Sequence, residues 1–303
     1  MLWLKDRQII EISGVDRTEF LQSLITNDIK LLENQELLYT AFLNASGRFF
    51  ADFFIYNNVD KFFIDCHQYQ AHEIIKKLNL YKLRSRVEIS INSAIRVFFN
   101  SQNIGFLDPR MKNFGYRFYD DFAKIDSNNA QSLIYYHQRR IDFKIPEGIY
   151  DLIPEKSFVA EYDFDNLNAI SYKKGCYLGQ ETTARNHYRG SIRKKIVKFE
   201  IINFNDSIID FLGSLSNLNS LQIDDGNLKF FGVNNLEILS SSNNSIDNQT
   251  DFKSIGLILS MIVNFQAKSV TGLAHIKLFE DETSEKNMNS SQSFLGNKIL
   301  ITN

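Results

Sequence analysis

The chemistry in this 303-residue chain is concentrated in Ser171-Tyr172-Lys173-Lys174-Gly175-Cys176-Tyr177-Leu178-Gly179-Gln180-Glu181. Two glycines flank a Cys-Tyr-Leu core, and glycine lets the backbone take positive φ or another group approach closely. Gln180–Arg185 reads as a helix start. A cysteine just ahead of a helix and beside two lysines is in an electropositive setting, which favours the thiolate and hence nucleophilicity or metal affinity. The competing reading makes Cys176 a small buried residue in a turn, because free cysteine is among the most buried residue types. From Lys173 to Lys198 eight basic residues (Lys173, Lys174, Arg185, Arg189, Arg193, Lys194, Lys195 and Lys198) face one acid, Glu181, in a chain whose net charge is −2. Such a run is either a solvated face, its usual fate, or an anion site. Spacing leaves a carboxylate, a phosphate and RNA all open, and the sparse aromatics there (Tyr177, Tyr188, Phe199) make a weak stacking platform for bases.

Other pairings carry less. Ser171-Tyr172-Lys173-Lys174 matches S-x-x-K, but the companion motifs of the penicillin-binding serine enzymes are missing. Cys176 and His187 are near in sequence, whereas cysteine-hydrolase partners lie far apart in the chain. His67 and His72 are five apart, the wrong spacing for one helical face and a shared metal. Cys66 ends an apolar strand and reads as core. There is no glycine-rich phosphate loop.

The elements that must position this segment follow from periodicity. Arg7–Ile12 reads as a strand broken by Gly14. Asp16 with Glu19 three residues on is a capping-box pattern, after which Phe20, Leu21, Leu24 and Ile25 share a helical face. Strands follow at Leu37–Leu43, Phe49–Tyr56 and Lys61–Cys66, separated by turn-rich Asn44–Gly47 and Asn57–Asp60. Gln68–Leu80 is helical, Val87–Ser90 and Ala94–Phe99 are strands, and Ser132–Arg140 is helical again. Consecutive hairpins with packed helices mean α+β. From about Lys194 the chain turns Asn- and Ser-rich. Strands at Ile196–Ile202, Leu236–Leu239, Phe252–Val263, Val270–Leu278 and Lys298–Ile301 suggest a small β-barrel or sandwich. The expected division is therefore residues 1–193 and 194–303.

Composition narrows the classes. Hydrophobic residues make up 44% and charged residues 23%, which excludes a disordered or collagen-like chain. The longest apolar run, near Ile255–Val263, is far short of the about 20 residues a membrane span needs. Lys5, Asp6 and Arg7 interrupt the N-terminal apolar stretch, so a secretory signal is not expected. Two cysteines exclude a disulfide scaffold and a four-thiolate cluster within one subunit, and they fit a reducing compartment, taken here as the cytoplasm. The near-neutral charge gives no global reason to expect nucleic acid or membrane as partner.

Lys174-Gly175-Cys176-Tyr177-Leu178-Gly179-Gln180-Glu181 resembles the K-G-C-Y-x-G-Q-E signature of the YgfZ family of folate-binding proteins. That family is related to the T protein of the glycine cleavage system and includes a mitochondrial iron–sulfur assembly factor. Gly14–Asp28 is similar to the family's G-x-D-x-x-x-F-L-Q-x-x-x-T-N-D opening, and Gly47–Asp52 to its G-R-x-x-x-D hairpin. Arg185 and Tyr188-Arg189-Gly190 follow the signature as in the family, and Gly256 and Gly272-Leu273-Ala274 are landmarks of the weaker C-terminal match. The resemblance implies three lobes around a channel: two intertwined α+β lobes and a C-terminal β-barrel. It implies tetrahydrofolate or a derivative bound in the channel, no metal held by the chain alone, and iron–sulfur client or assembly proteins as partners. Radical S-adenosylmethionine enzymes that modify tRNA are among the clients it implies.

The resemblance also marks departures from the T protein. Two adjacent acids end the T-protein hairpin, and here Ala51-Asp52 keeps one. An Arg-Leu-Glu-Ala-Gly segment there becomes Arg140-Ile141-Asp142-Phe143-Lys144, with the acid one methylene shorter and the glycine replaced. The expectation is therefore pterin binding without established turnover. The alternatives are a folate-dependent aminomethyl or one-carbon transferase and an RNA-binding module. Asp142 would accept two hydrogen bonds from the aminopyrimidinone edge, and Asp52 would face the reduced ring nitrogens. Arg140, Gln180, Glu181 and Arg185 complete the expected folate contacts, with Arg185–Arg193 supplying a cation for the glutamyl tail. On pattern alone Asp142 is equally a salt-bridged helix-end residue, and Asp52 a solvent-facing strand residue.

Overall fold

A computed structural model describes residues 1–121, 133–188, 190, 194–205, 207–210, 221–243, 250–277, 292–294 and 297–302. They divide into two compact units, one of residues 1–136, 147–149 and 153–191, the other of residues 137–146, 150–152 and 192–303.

The first unit begins with β1 (Leu2–Trp3), β2 (Arg7–Ser13) and α1 (Arg17–Gln22), then a 3₁₀ turn at Ile29–Glu33. Next come β3 (Leu38–Leu43), β4 (Phe49–Asn58), β5 (Lys61–His67), α2 (Gln68–Lys82), β6 (Glu88–Asn92), β7 (Ile95–Asn100), β8 (Phe106–Leu107) and β9 (Tyr116–Asp121). Five strands pair antiparallel in the order β3-β4-β5-β2-β6, and four in the order β1-β7-β9-β8.

The near-continuous apolar sequence of β3–β5 reflects burial on both faces of the larger sheet. One face carries Leu38, Phe42, Ala51, Phe53, Ile55, Ile64 and Cys66 into a core with Phe20, Leu21, Ile74 and Leu78 of the helices and the turn after α1. Alternation then sends Tyr39, Asp52, Phe54 and Asp65 to the other face. Cys66 is core, as its place in the sequence indicates, and burial pushes its thiol up to about 12.

Two local readings change. Asp16 precedes α1 but makes no side-chain cap there; its carboxylate takes the backbone N–H of Arg86 at 2.7 Å and the guanidinium at 3.1–3.2 Å. Ile25 has left the helix and bridges Phe42. His67 caps α2 by accepting from the Tyr69 N–H at 3.2 Å, and burial pulls its pKa down to about 3, so it is a neutral cap.

In the second unit, β10 (Lys194–Ile202), β11 (Leu221–Asp225), β12 (Leu228–Asn243), β13 (Thr250–Asn264), β14 (Ser269–Lys277), β15 (Gln292–Phe294), β16 (Asn297–Lys298) and β17 (Leu300–Thr302) form one sheet. Its order is β16-β15-β12-β13-β14-β10-β17, with β11 on β12. The two ends, β16 and β17, are separated only by Ile299, so one strip of chain pairs with both β15 and β10. Val197, Phe199, Ile258, Ala274 and Ile276 lead its core. α+β is the observed class.

Candidate functional site

The signature segment is locked to the first unit on both sides of the thiol. Lys174 is buried, and its ammonium donates to the carbonyls of Gln22, Ile25 and Asn27 at 2.7, 2.8 and 2.8 Å. These carbonyls lie at and beyond the C-terminus of α1, where a cation is favoured. Burial pulls Lys174 down to about 8, opposed by Asp28. Upstream, the Ser171 N–H bonds the Thr26 carbonyl at 3.0 Å; downstream, the Leu178 N–H bonds the Ser23 carbonyl at 3.0 Å. Thr26-Asn27-Asp28, which looks in sequence like a simple turn, is thus the dock for this loop. Asn27 ties it to the carbonyls of Tyr39 and Asn168 at 2.8 and 2.7 Å.

Two sequence motifs interlock behind the loop. A Cβ on Gly179 would lie 2.7 Å from the Asn44 carbonyl oxygen and 2.9 Å from Gly47 Cα, and one on Gly47 would lie 2.6 Å from Thr182 Cβ. Both have left-handed φ, +81° and +78°. Gly175 differs: it is exposed, has no such φ, and a Cβ there would meet nothing. The expectation of positive φ and close approach therefore applies to Gly179 and not to Gly175.

Between these anchors Gly175 and Cys176 are exposed, so the buried-turn reading of Cys176 is excluded. Tyr177 is buried, and the Lys174 ammonium lies 5.0 Å from its ring. The helix Gln180–Tyr188 follows at once, with Glu181 and Arg185 exposed and Gln180 half-buried. His187 is engaged elsewhere: its ring stacks on Tyr172 at 3.8 Å, and its Nδ1 lies 3.0 Å from Asp165, which also accepts from the Tyr172 hydroxyl.

The basic run is not one surface. Lys174 is buried, and Lys198 pairs with Asp142 and Glu200 at 2.9 and 3.2 Å. Arg189 and Arg193 lie outside the described residues. No group of three His, Cys, Asp or Glu side chains that could hold a metal occurs among the described residues.

Beside the loop is a cavity of about 900 Å³. Asn27, Leu38 and Tyr39 form its buried part, Tyr172 lies between, and Glu36 and Lys173 stand exposed. Tyr39 connects the cavity to Asp52. In the β3–β4 register Ala41 opposes Asp52 and Tyr39 opposes Phe54, so Tyr39 and Asp52 are diagonal neighbours on one face. The Tyr39 hydroxyl donates to Asp52 at 2.6 Å.

Asp52 is buried, not solvent-facing, and burial together with the Glu147 carboxylate pushes its pKa up to about 6. Its surroundings explain that. Arg110 bonds Glu147 at 2.6 Å and Asp108 at 2.8 Å, Arg117 bonds Asp65 at 2.7 Å, and Arg7 bonds Asp65 at 2.6 Å. The Tyr136 hydroxyl donates to Glu147 and accepts from Arg110 and Arg117. Three cations balance three acids, which leaves Asp52 as the surplus anion. Sequence reasoning missed this network and Tyr39. The available signal was polar residues in otherwise apolar strands, which must find partners when buried.

The remaining two expected residues belong to the second unit. α3 (Leu133–Asp142) ends on Asp142, whose half-exposed carboxylate pairs with Lys198 at 2.9 Å and accepts from Gln138 at 3.3 Å. Lys144, standing where the T-protein segment has glycine, keeps a left-handed φ of 54°. Arg140 is fully buried; its guanidinium bonds Asp151, the Ile145 carbonyl (2.7 Å) and Ser260 (3.3 Å).

No family model matches the chain. It is 31% identical over 227 residues to the iron-sulfur cluster assembly factor IBA57 homolog, mitochondrial, of Neurospora crassa, covering 64% of this chain and 52% of that protein. It is 30% identical over 217 residues to the Pyricularia oryzae protein of the same name, covering 64% and 55%. It is 29% identical over 227 residues to the human iron-sulfur cluster assembly factor IBA57, mitochondrial, covering 64% of each. The alignments thus span little more than half the length of the fungal relatives. By fold, the chain is similar to the glycine cleavage system aminomethyltransferase T from Bartonella henselae, with a TM-score of 0.55 at 9% identity over 91% of this chain and 77% of that one.

The cytoplasmic expectation is overturned, because these relatives are mitochondrial proteins. A low cysteine count fits a reducing compartment without saying which one. The resemblance carried by Lys174–Glu181 holds: the homologues of this chain are iron–sulfur cluster assembly factors of the IBA57 kind, and its fold is that of a glycine cleavage T protein.

Proposed function

We propose that this chain is a tetrahydrofolate-binding factor that supports assembly or repair of iron–sulfur clusters in client enzymes, with the Cys176 thiol as its working group. The observation that carries the reading is the exposure of Cys176 on a two-residue arch anchored on both sides. A thiol presented this way, with no metal-binding group beside it among the described residues, takes its further ligands from another molecule. Iron–sulfur assembly partners or clients, including radical S-adenosylmethionine enzymes that modify tRNA, fit that requirement.

A folate is supported by the cavity. Its volume, about 900 Å³, lies within the range of small-molecule sites. Its walls offer apolar and aromatic side chains to a flat heterocycle and one exposed ammonium, Lys173, to an anionic tail. Tetrahydrofolate would contribute a reduced pteridine able to donate hydrogen bonds. Asp52 would answer such donation through Tyr39. On the family resemblance alone, and not on the cavity, Asp142 is a proposed acceptor of two hydrogen bonds from an aminopyrimidinone edge, in exchange for Lys198. Arg140 supports from within, as the buried partner of Asp151. Gln180 and Glu181, at the start of the helix Gln180–Tyr188, and Arg185, in its last turn, are the proposed polar contacts nearest the thiol in sequence.

The test has two arms. Cys176→Ala should leave fold and folate affinity unchanged and abolish in-cell support of cluster enzymes; full complementation by the variant removes the thiol from the function. Calorimetric titration with tetrahydrofolate should show binding to wild type and weaker binding to Asp142→Ala. Unchanged affinity in that variant removes Asp142 from the pterin site.

A further inference from the structure

We propose that Lys174 is a positioning residue for the Cys176 thiol: its ammonium clamps the start of the thiol arch to the carbonyls at and after the end of α1, and removing it releases the arch. The inference rests on the reading of Cys176 as the working group, and it deepens that reading by naming what holds the thiol in place.

The two ends of the arch are held by different physics. On the far side the anchors are packing and backbone. Tyr177 is buried, Leu178 packs on the main core and donates its N–H to Ser23, and Gly179 presses on the Asn44–Gly47 turn. On the near side the anchor next to the thiol is one side chain. The Lys174 ammonium has three N–H donors, and three carbonyls, those of Gln22, Ile25 and Asn27, receive them at 2.7–2.8 Å. One residue later Gly175 is exposed, with nothing near enough for even a Cβ to touch.

This arrangement sets the position of the thiol. Three charge-assisted bonds from one ammonium fix the backbone two residues before Cys176. The charged group that faces the ammonium is Asp28, and the ring that faces it is Tyr177. One residue of the clamp, Asn27, also lines the cavity, as do Tyr172 and Lys173 immediately before Lys174.

The experiment is amide hydrogen exchange on the full chain at Ser171, whose N–H bonds the Thr26 carbonyl, between the Ile25 and Asn27 carbonyls that Lys174 holds. In Lys174→Met protection at Ser171 should fall at least tenfold, while amides of β4 keep wild-type protection. Labelling at pH 7 with a neutral maleimide reads the thiol itself, because Cys66 is buried and silent, and the rate at Cys176 should change at least threefold in the variant. Wild-type protection at Ser171 and a wild-type labelling rate in Lys174→Met overturn the proposal, and so does a loss shared equally by β4, which is plain destabilisation. If Lys174→Met does not fold, Lys174→Gln, which keeps two donors without the charge, is read by the same two measurements with the same outcomes. None of these readouts uses a client enzyme. Full complementation by Cys176→Ala would therefore end the functional reading and leave the clamp measurable.

Discussion

Asp52→Asn should change how stability depends on pH, in a direction opposite to ordinary acid denaturation. A paired surface carboxylate stabilises a fold above its pKa. Asp52 does the reverse, because its folded pKa of about 6 lies above the ordinary 3.8. The fold binds this proton more tightly than the unfolded chain does, so the stabilisation is present at low pH and is lost as pH rises through about 6. Each tenfold in proton affinity is worth about 1.4 kcal/mol, so keeping Asp52 ionised at neutral pH costs about 3 kcal/mol. Between pH 5 and pH 7.5 the linkage relation gives a change of about 1.4 kcal/mol. Asparagine keeps an acceptor for the Tyr39 hydroxyl and removes the titration.

The assay is urea unfolding of both proteins at several pH values in that window. The quantity to follow is the difference in stability between them, because other groups cancel in it. His67, held near 3 by burial, titrates with the opposite sign: its contribution is present above about 6.5 and lost as pH falls towards 3. The variant should gain on wild type by about 1.4 kcal/mol from pH 5 to 7.5. Parallel curves would refute the argument that Asp52 is the surplus anion beside a balanced network.

Three further outcomes follow from the geometry. Gly179→Ala combines a left-handed φ with a clash against the Asn44 carbonyl and should cost about 2–3 kcal/mol, measured by chemical denaturation. Arg110→Ala removes the buried cation shared by Glu147 and Asp108, tipping the network to net negative charge, and should cost about 3–5 kcal/mol. Arg140→Ala removes the buried cation beside Asp151 and should cost about as much; a near-neutral result at either arginine would show that the remaining partners of the acids, or water, suffice.

How much could be read beforehand depended on where the partners of each residue lie. β2 to β5 and α2 were legible because local alternation and turn residues announce them, and their boundaries differ from the expected ones by a residue or two. β9 was missed because it carries Arg117 into the interior, where a charge in the sequence reads as surface. Most of β12 was missed because Asn- and Ser-rich segments resemble loops, yet Leu228–Asn243 is one long strand that pairs with β13 on both sides of an irregularity between Gly232 and Leu236. The signature located the thiol, but the carbonyl cage around Lys174 lies about 150 positions upstream, and no spacing rule encodes it. Asp16 misled for the same reason, since Arg86 outcompetes the local helix end.

The balanced network of the first unit also constrains how the chain is made. Arg7 emerges first from the ribosome, Asp65 and then Asp108, Arg110 and Arg117 follow, and Glu147 comes last. Until that glutamate is free, Arg110 lacks one of its two acids and the Tyr136 hydroxyl lacks its carboxylate acceptor. Asp52, already synthesised, is the acid left to stand opposite the arginines in that interval. The polar seal of this interior is therefore completed late, by a residue nearly halfway along the chain, and a polypeptide cut before it would lack that seal.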